Sequence, residues 1–333
     1  MTQSRETQIS LQDTRYYHCI SRCVRRAFLC GKDEYSGQSF EHRRQWVVDR
    51  IRQLSTVFAI DVAAYAVMSN HYHLVLHVDV EDAKVWSHTE VVNRWKQIYL
   101  SRPIVDRYLD NKTDTTETLQ AVEIIEKWRS RLFDISWFMK CLNEYIAVAA
   151  NKEDHCKGRF WEGRFKSQAL LDEKAVLTCM AYVDLNPIRA KMADSADSSE
   201  YTSIYERIHN KSSIEDNWDK NGFKFKPLFG FIGDENKENQ DVKGIRISLI
   251  QYIKLVDWTG RFFREDKAGH INESEPELLK KLGFDDKNWQ MLASQFGKKY
   301  HRAIGSLAEL NEFAAHTNHK WCADRAELDR YFS

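Results

Sequence analysis

The run Tyr65-Ala66-Val67-Met68-Ser69-Asn70-His71-Tyr72-His73-Leu74-Val75-Leu76-His77-Val78 constrains the fold more than any other stretch, because it reads as strand, turn and strand. Side chains alternate along a strand. Tyr72, Leu74, Leu76 and Val78 are therefore expected to face a core, while His71, His73, Val75 and His77 share the opposite face. Two imidazoles at i and i+2 on a rigid strand lose little entropy when they bind a divalent ion. The same spacing also describes an ordinary polar strand face, so the pair acquires meaning only from the rest of the chain.

At 333 residues, 43% of them hydrophobic, the chain can bury a sizeable core, and its length suggests about two domains. Lys plus Arg and Asp plus Glu both number 49, so no global positive field announces a nucleic-acid partner and any such contact must rest on local basic patches. The cysteines (Cys19, Cys23, Cys30, Cys141, Cys156, Cys179, Cys322) form no C-x-x-C pair and are odd in number, which points to free thiols in a reducing compartment. The polar amino-terminal stretch and the lack of any apolar run near the ~20 residues of a membrane span predict a cytoplasmic protein with no membrane partner.

Tyr16 to Arg22 has strand character and runs into Arg22-Cys23-Val24-Arg25-Arg26, an arginine cluster without an acid. Trp46, Val47, Ile51 and Leu54 recur at helical spacing and predict a helix over Phe40 to Phe58. From Val80 to about Ser130 the pattern turns charged and tryptophan-bearing, which reads as a helical insertion. A helix is expected from Ser136 to Asn151, with Ser136 as its cap, and another from Glu173 to Asn186, ended or kinked by Pro187. Between them, basic and aromatic side chains alternate from Lys157 to Lys166 before a short apolar strand.

The fold class expected is α+β. A first domain would span residues 1–210 with an insertion at about 80–130, followed by a linker over 211–243 and an all-helical accessory domain over 244–333. The last part would hold helices over Ile245 to Trp258, Glu275 to Leu282, Asp286 to Ser306 and Leu307 to Phe332, with Gly283, Gly297 and Gly305 as punctuation.

On a helix, i and i+4 share a face, so Tyr182 and Asn186 project together. A phenol beside an amide carbonyl suits a metal site: the amide oxygen can ligate a cation and the phenol can act as a nucleophile, although a packed aromatic would have the same spacing. His71, His73 and Asn186 would form a mixed nitrogen and oxygen set with positions left open for water and phosphate, compatible with Mg²⁺ or Mn²⁺.

Four separated motifs occur in one order: Tyr17-His18-Cys19-Ile20-Ser21-Arg22; the hairpin Met68-Ser69-Asn70-His71-Tyr72-His73-Leu74-Val75-Leu76; Gly158-Arg159-Phe160-Trp161-Glu162-Gly163-Arg164-Phe165-Lys166-Ser167; and Tyr182-Val183-Asp184-Leu185-Asn186-Pro187-Ile188-Arg189-Ala190. In this the chain resembles the REP-associated tyrosine transposases (RAYTs), relatives of insertion-sequence transposases with a His-hydrophobic-His (HUH) metal motif. The resemblance covers roughly the first two hundred residues. It implies a ferredoxin-like antiparallel sheet with helices and metal-dependent cleavage and joining of single-stranded DNA through a 5′-phosphotyrosine. Residue by residue, it implies His71 and His73 as metal ligands, Tyr182 as nucleophile and Asn186 as third ligand, where insertion-sequence relatives usually carry glutamine. Cys23 stands where many relatives have glycine.

The same resemblance implies a hairpin of a repetitive extragenic palindrome as the DNA partner. Arg22, Arg25, Arg26, Arg159, Arg164 and Lys166 are expected to meet phosphates, while Phe160, Trp161 or Phe165 could stack on unpaired bases or belong to the core. His77 could shuttle a proton or merely be exposed. Lys298-Lys299-Tyr300-His301-Arg302 could lie along DNA or be a solvated helix end. Two other readings stay open: a hairpin-binding protein whose site no longer cuts, and a phosphodiesterase that uses water. Oligomeric state is not legible.

Overall fold

The computed structural model describes residues 7–24, 29–32, 37–209, 226–233, 243–263, 276–299 and 302–318. The fold is α+β, built on a five-stranded sheet of order β2-β3-β1-β4-β5. The strands are β1 (Tyr16–Arg22), β2 (Ile60–Val67), β3 (His71–Val78), β4 (Lys166–Leu170) and β5 (Ala303–Ile304). With helices α1 (Arg43–Val57) between β1 and β2, and the long α6 (Ile135–Glu153) before β4, the first four strands follow the β-α-β-β-α-β path of a ferredoxin-like sheet. Every pair among them is antiparallel.

Both helices pack on one face of that sheet and against each other. Tyr17, Cys19, Leu74 and Leu76 are fully buried there. The face also carries a polar chain: Tyr72 Oη donates to Asn143 Oδ1 (2.7 Å), and Asn143 Nδ2 donates to Ser21 Oγ (3.0 Å). Arg43, 1% exposed, ties the two helices together through Glu153 and Asp154. The expected alternation on β3 holds, but the histidine face is no solvent face: only His71 and His77 are partly exposed. It is covered by α7 (Glu173–Asp184), every residue of which from Ala175 on is buried.

The tryptophan-bearing insertion folds into α2 (Val80–Val85), α3 (His88–Lys96), α4 (Pro103–Leu109) and α5 (Thr115–Arg131). Its tryptophans are packing groups: Trp95 stacks on Trp128 at 5.0 Å and reaches Trp137 of α6 at 6.0 Å. The cap of α6 is Asp134, whose carboxylate accepts from Ser136 N, so the serine expected at the cap sits inside the first turn.

The helix expected to end or kink near Pro187 does end, at Asp184, and Leu185 separates it from the next turn. Pro187 occupies the first turn of α8 (Asn186–Arg189), where its missing N–H costs nothing. Next come α9 (Ser203–His209), α10 (Leu249–Phe262), α11 (Glu277–Leu282), α12 (Asp286–Lys299) and α13 (Leu307–His316). The helix expected over Asp286 to Ser306 ends at Lys299, and Ala303–Ile304 instead pair in parallel with Ala169 and Leu170. The carboxy-terminal stretch is therefore not all-helical, because β4 presents an open edge that β5 covers. Helices α10 and α12 pack on α7, joining the one hydrophobic core. Most of the expected linker, and the chain beyond residue 318, lie outside the described residues.

Candidate metal and nucleophile site

Antiparallel pairing sets the site's geometry. His18 on β1 lies opposite Val75 on β3 and Gln168 on β4, and Ile20 lies opposite His73, so His18, His73 and Gln168 share the α7 face. His73 is 3% exposed and His18 is 2% exposed. Their rings lie nearly parallel (13°) with centroids 5.2 Å apart, and His18 Nε2 is 2.9 Å from His73 Nδ1. His71, at the mouth of the strand, crosses His73 nearly at right angles at 4.9 Å, and its Nδ1 lies 2.6 Å from Asn70 Oδ1. Burial holds the imidazolium forms down: His71 and His18 fall to about 4, and His73 well below its ordinary value. All three rings are neutral at pH 7, the state in which imidazole ligates a metal.

Helix α7 delivers Tyr182 to this cluster because Asp172 caps its start and apolar side chains on all sides hold it against the sheet. The phenol ring stands edge-on to His73 at 5.7 Å and to His18 at 6.1 Å. Asn186 is one turn further, 8% exposed, with Nδ2 donating to the Tyr182 carbonyl (3.1 Å). Among the described residues no hydrogen bond joins Asn186 to His71 or His73. His73 Nε2 is buried and has no hydrogen-bond partner among the described residues. A buried ring nitrogen left unmatched in this way is costly unless something fills it. Among the described residues, no three or more His, Cys, Asp or Glu side chains gather as a metal cluster.

Three neighbours of Tyr182 were not foreseen in the sequence. The Arg189 guanidinium lies over its ring at 4.5 Å, Phe296 of α12 stacks on it at 5.4 Å, and Gly297 faces its hydroxyl. Arg189 also donates to the Ser294 carbonyl of α12 (2.9 Å), so that helix closes over the phenol. Gly297, expected only as punctuation, lies inside α12, and a methyl there would meet Tyr182 Cζ at 2.7 Å. In a free helix, replacing Gly with Ala gains about 1 kcal/mol, whereas forcing a methyl into a packed contact costs about 1–3 kcal/mol. Gly297→Ala is accordingly expected to destabilise the protein in urea denaturation; a gain would mean that α12 does not rest on Tyr182.

The expected DNA contacts divide. Arg159, Arg164 and Lys166 are exposed, and Arg22 is exposed with only a loose 3.8 Å approach to Glu162. Trp161 is 9% exposed, donates its indole N–H to the Asn143 carbonyl (2.8 Å) and packs edge-on against Tyr72, so its ring is part of the core rather than a free stacking platform. Arg25 and Arg26 lie outside the described residues, as do Tyr300, His301 and the side chains of Lys298 and Lys299. His77 is neither free nor merely exposed: its Nδ1 lies 3.0 Å from Asp61 Oδ2, and its ring stacks on Phe229.

No helix among the described residues is long and apolar enough to cross a membrane. No protein-family model matches the chain and no curated protein matches it. A solved structure described as "Structure of the REP associates tyrosine transposase bound to a REP hairpin" overlays with a TM-score of 0.37 at 12% identity, over 69% of this chain and 100% of that one.

Proposed function

We propose that this protein cleaves and rejoins single-stranded DNA beside a hairpin, using Tyr182 as nucleophile and a divalent ion held by His71, His73 and Asn186. The observation that carries the reading is the meeting of Tyr182 with His73, whose buried Nε2 lacks a partner among the described residues. The donor set fits the ion: neutral imidazole suits Mn²⁺, the amide oxygen suits Mg²⁺ or Mn²⁺, and three protein donors leave positions open. When bound, the ion would polarise the scissile phosphate and offset its charge.

In the step proposed, Tyr182 Oη gives up its proton and bonds phosphorus while the bond from phosphorus to O3′ breaks, and O3′ leaves as a hydroxyl after taking up a proton. The 5′-phosphotyrosine keeps the energy of the diester, so a later 3′-hydroxyl attacks the same phosphorus and releases Tyr182. Arg22, Arg159, Arg164 and Lys166 would hold the phosphates of the flanking strand. Residues 1–210 would carry this chemistry and the carboxy-terminal helices would modulate it. A hairpin of a repetitive palindrome is the substrate that the four sequence motifs suggest.

The test is incubation with hairpin oligonucleotides bearing single-stranded flanks, with Mn²⁺ or with chelator, followed by denaturing electrophoresis and peptide mapping. A metal-dependent protein-DNA adduct on Tyr182 is expected. A second reading, a hairpin binder that does not cut, is favoured by the seat of α12 on the phenol. Tight binding with no adduct under any metal would establish that reading instead.

A further inference from the structure

Within the first sequence motif, Tyr17-His18-Cys19-Ile20-Ser21-Arg22, the histidine has no part in the chemistry proposed above, yet it contacts side chains on both neighbouring strands at the site. Gln168 Oε1 lies 3.2 Å from His18 Nδ1, and His18 Nε2 lies 2.9 Å from His73 Nδ1. The chain of contacts crosses three neighbouring strands, β4, β1 and β3, at positions fixed by the ladder. A centroid separation of 5.2 Å with planes only 13° apart is the geometry of two rings joined edge to edge through a nitrogen pair.

Donor and acceptor roles then follow in sequence. The amide oxygen of Gln168 can only accept, so His18 carries its proton on Nδ1 and donates it there. A neutral imidazole has one proton, which leaves His18 Nε2 as an acceptor. His73 Nδ1 must therefore be the N–H that donates to it, and His73 Nε2 bears the free lone pair. That nitrogen is the buried ring atom without a partner among the described residues. His71 obeys the same rule at the mouth of the site, where Asn70 Oδ1 accepts from its Nδ1 and leaves Nε2 unprotonated.

We infer that His18, set by Gln168, is a positioning residue that fixes the tautomer and ring orientation of His73, so that Nε2 is presented as a metal ligand before any ion arrives. The inference rests on the proposed metal site and adds the device that builds it. Without His18, His73 Nδ1 would lose its acceptor, and the ring could flip or take the other tautomer, with the proton on the nitrogen that must bind. Outer-shell partners of this type, when removed, cost about 10- to 100-fold in metal affinity.

The test uses the full chain and Mn²⁺ alone, with affinity read by calorimetry and by paramagnetic resonance, beside nitrogen NMR of protein carrying labelled histidine. In the wild type, His73 should show a protonated Nδ1 and an unprotonated Nε2. His18→Ala should bind Mn²⁺ about 10- to 100-fold more weakly and show His73 in mixed tautomers. His18→Gln, which returns an amide oxygen to the same place, should restore part of the affinity. Gln168→Leu leaves both rings in place and guards against a His18 variant that fails to fold: it removes the anchoring acceptor and should also mix the tautomers. Unchanged affinity in His18→Ala, or a wild-type His73 protonated on Nε2, would overturn the inference while leaving the metal site standing. A wild type that binds no Mn²⁺, with the tautomers as stated, would overturn the proposed metal site and leave His18 as a structural partner of His73 only.

Discussion

Tyr182→Phe is expected to abolish the covalent protein-DNA adduct while leaving the fold and the affinity for hairpin DNA as they are. The phenol hydroxyl makes no hydrogen bond among the described residues, and the ring is held by contacts that phenylalanine keeps: Phe296 at 5.4 Å, the Arg189 guanidinium at 4.5 Å and the edge-on His73 at 5.7 Å. Stability should therefore move by less than about 0.5 kcal/mol, the range of a substitution that removes neither packing nor a paired polar group. The chemistry has no such reserve. Removing the nucleophile of a covalent mechanism takes away the bond on which the intermediate depends, and adduct formation should fall on the order of 10³-fold or more, to background. Gel quantification of adduct, beside hairpin binding by fluorescence anisotropy, separates the two effects. If Tyr182→Phe still cuts in the presence of Mn²⁺, water is the nucleophile and the protein is a metal phosphodiesterase.

Asp184→Ala should be among the most destabilising single changes in the chain, at about 3–5 kcal/mol, the scale for removing one partner from a buried charged network. Asp184 is fully buried at the end of α7, two residues from Tyr182, and accepts hydrogen bonds from the Ser203 hydroxyl, from Ile204 N (2.9 Å) and from Tyr252 Oη (2.5 Å). One carboxylate thereby joins the site helix to α9 and to α10. Alanine would strand three donors in the core, each costing about 1–3 kcal/mol in part offset by relaxation. Urea denaturation monitored by tryptophan fluorescence measures the loss.

The same carboxyl links stability to pH. Burial pushes Asp184 from its ordinary 3.8 up to about 6, against the three donors and Arg207, which act the other way. The folded state therefore holds this proton more tightly than the unfolded chain does. The contribution is fully present below pH 3.8, is lost as pH rises through about 6, and is flat above that. Asp184→Asn keeps an acceptor and removes the titration, so this part of the stability profile should flatten in that variant. Asp172, also raised to about 6 by burial and then by the neighbouring Glu309, acts with the same sign and would remain.

Strand β1 was legible to the residue, and the hairpin of β2 and β3 was legible because alternation and a Ser-Asn turn are local properties of the chain. The helices over Arg43–Val57 and Glu173–Asp184 were legible for the same reason, since helical spacing is written within a few turns. What local pattern could not carry was burial and long-range partnership. The basic and aromatic segment left Trp161 either to stack on a base or to join the core, and Asn143, 18 residues away, claims its indole. Nothing local distinguishes the cap Asp134 from its neighbour Ser136, because both can accept the same orphan N–H and the winner depends on where α6 enters the sheet layer.

The candidate site divides along the same line. The spacing of His71 and His73 follows from one strand, and that of Tyr182 and Asn186 from one helical stretch that the structure divides between α7 and α8, so the sequence alone determined which side chains could come together. The tertiary structure alone decided that His18 and Gln168 complete the histidine row, since they belong to strands 55 and 150 residues from their partners and meet only through sheet pairing. It also decided that α12 covers Tyr182, where Phe296 and Gly297 are set by docking on α7 and not by any feature of their own helix. Local spacing encodes which residues face the same way; only the folded packing of distant segments encodes what they face.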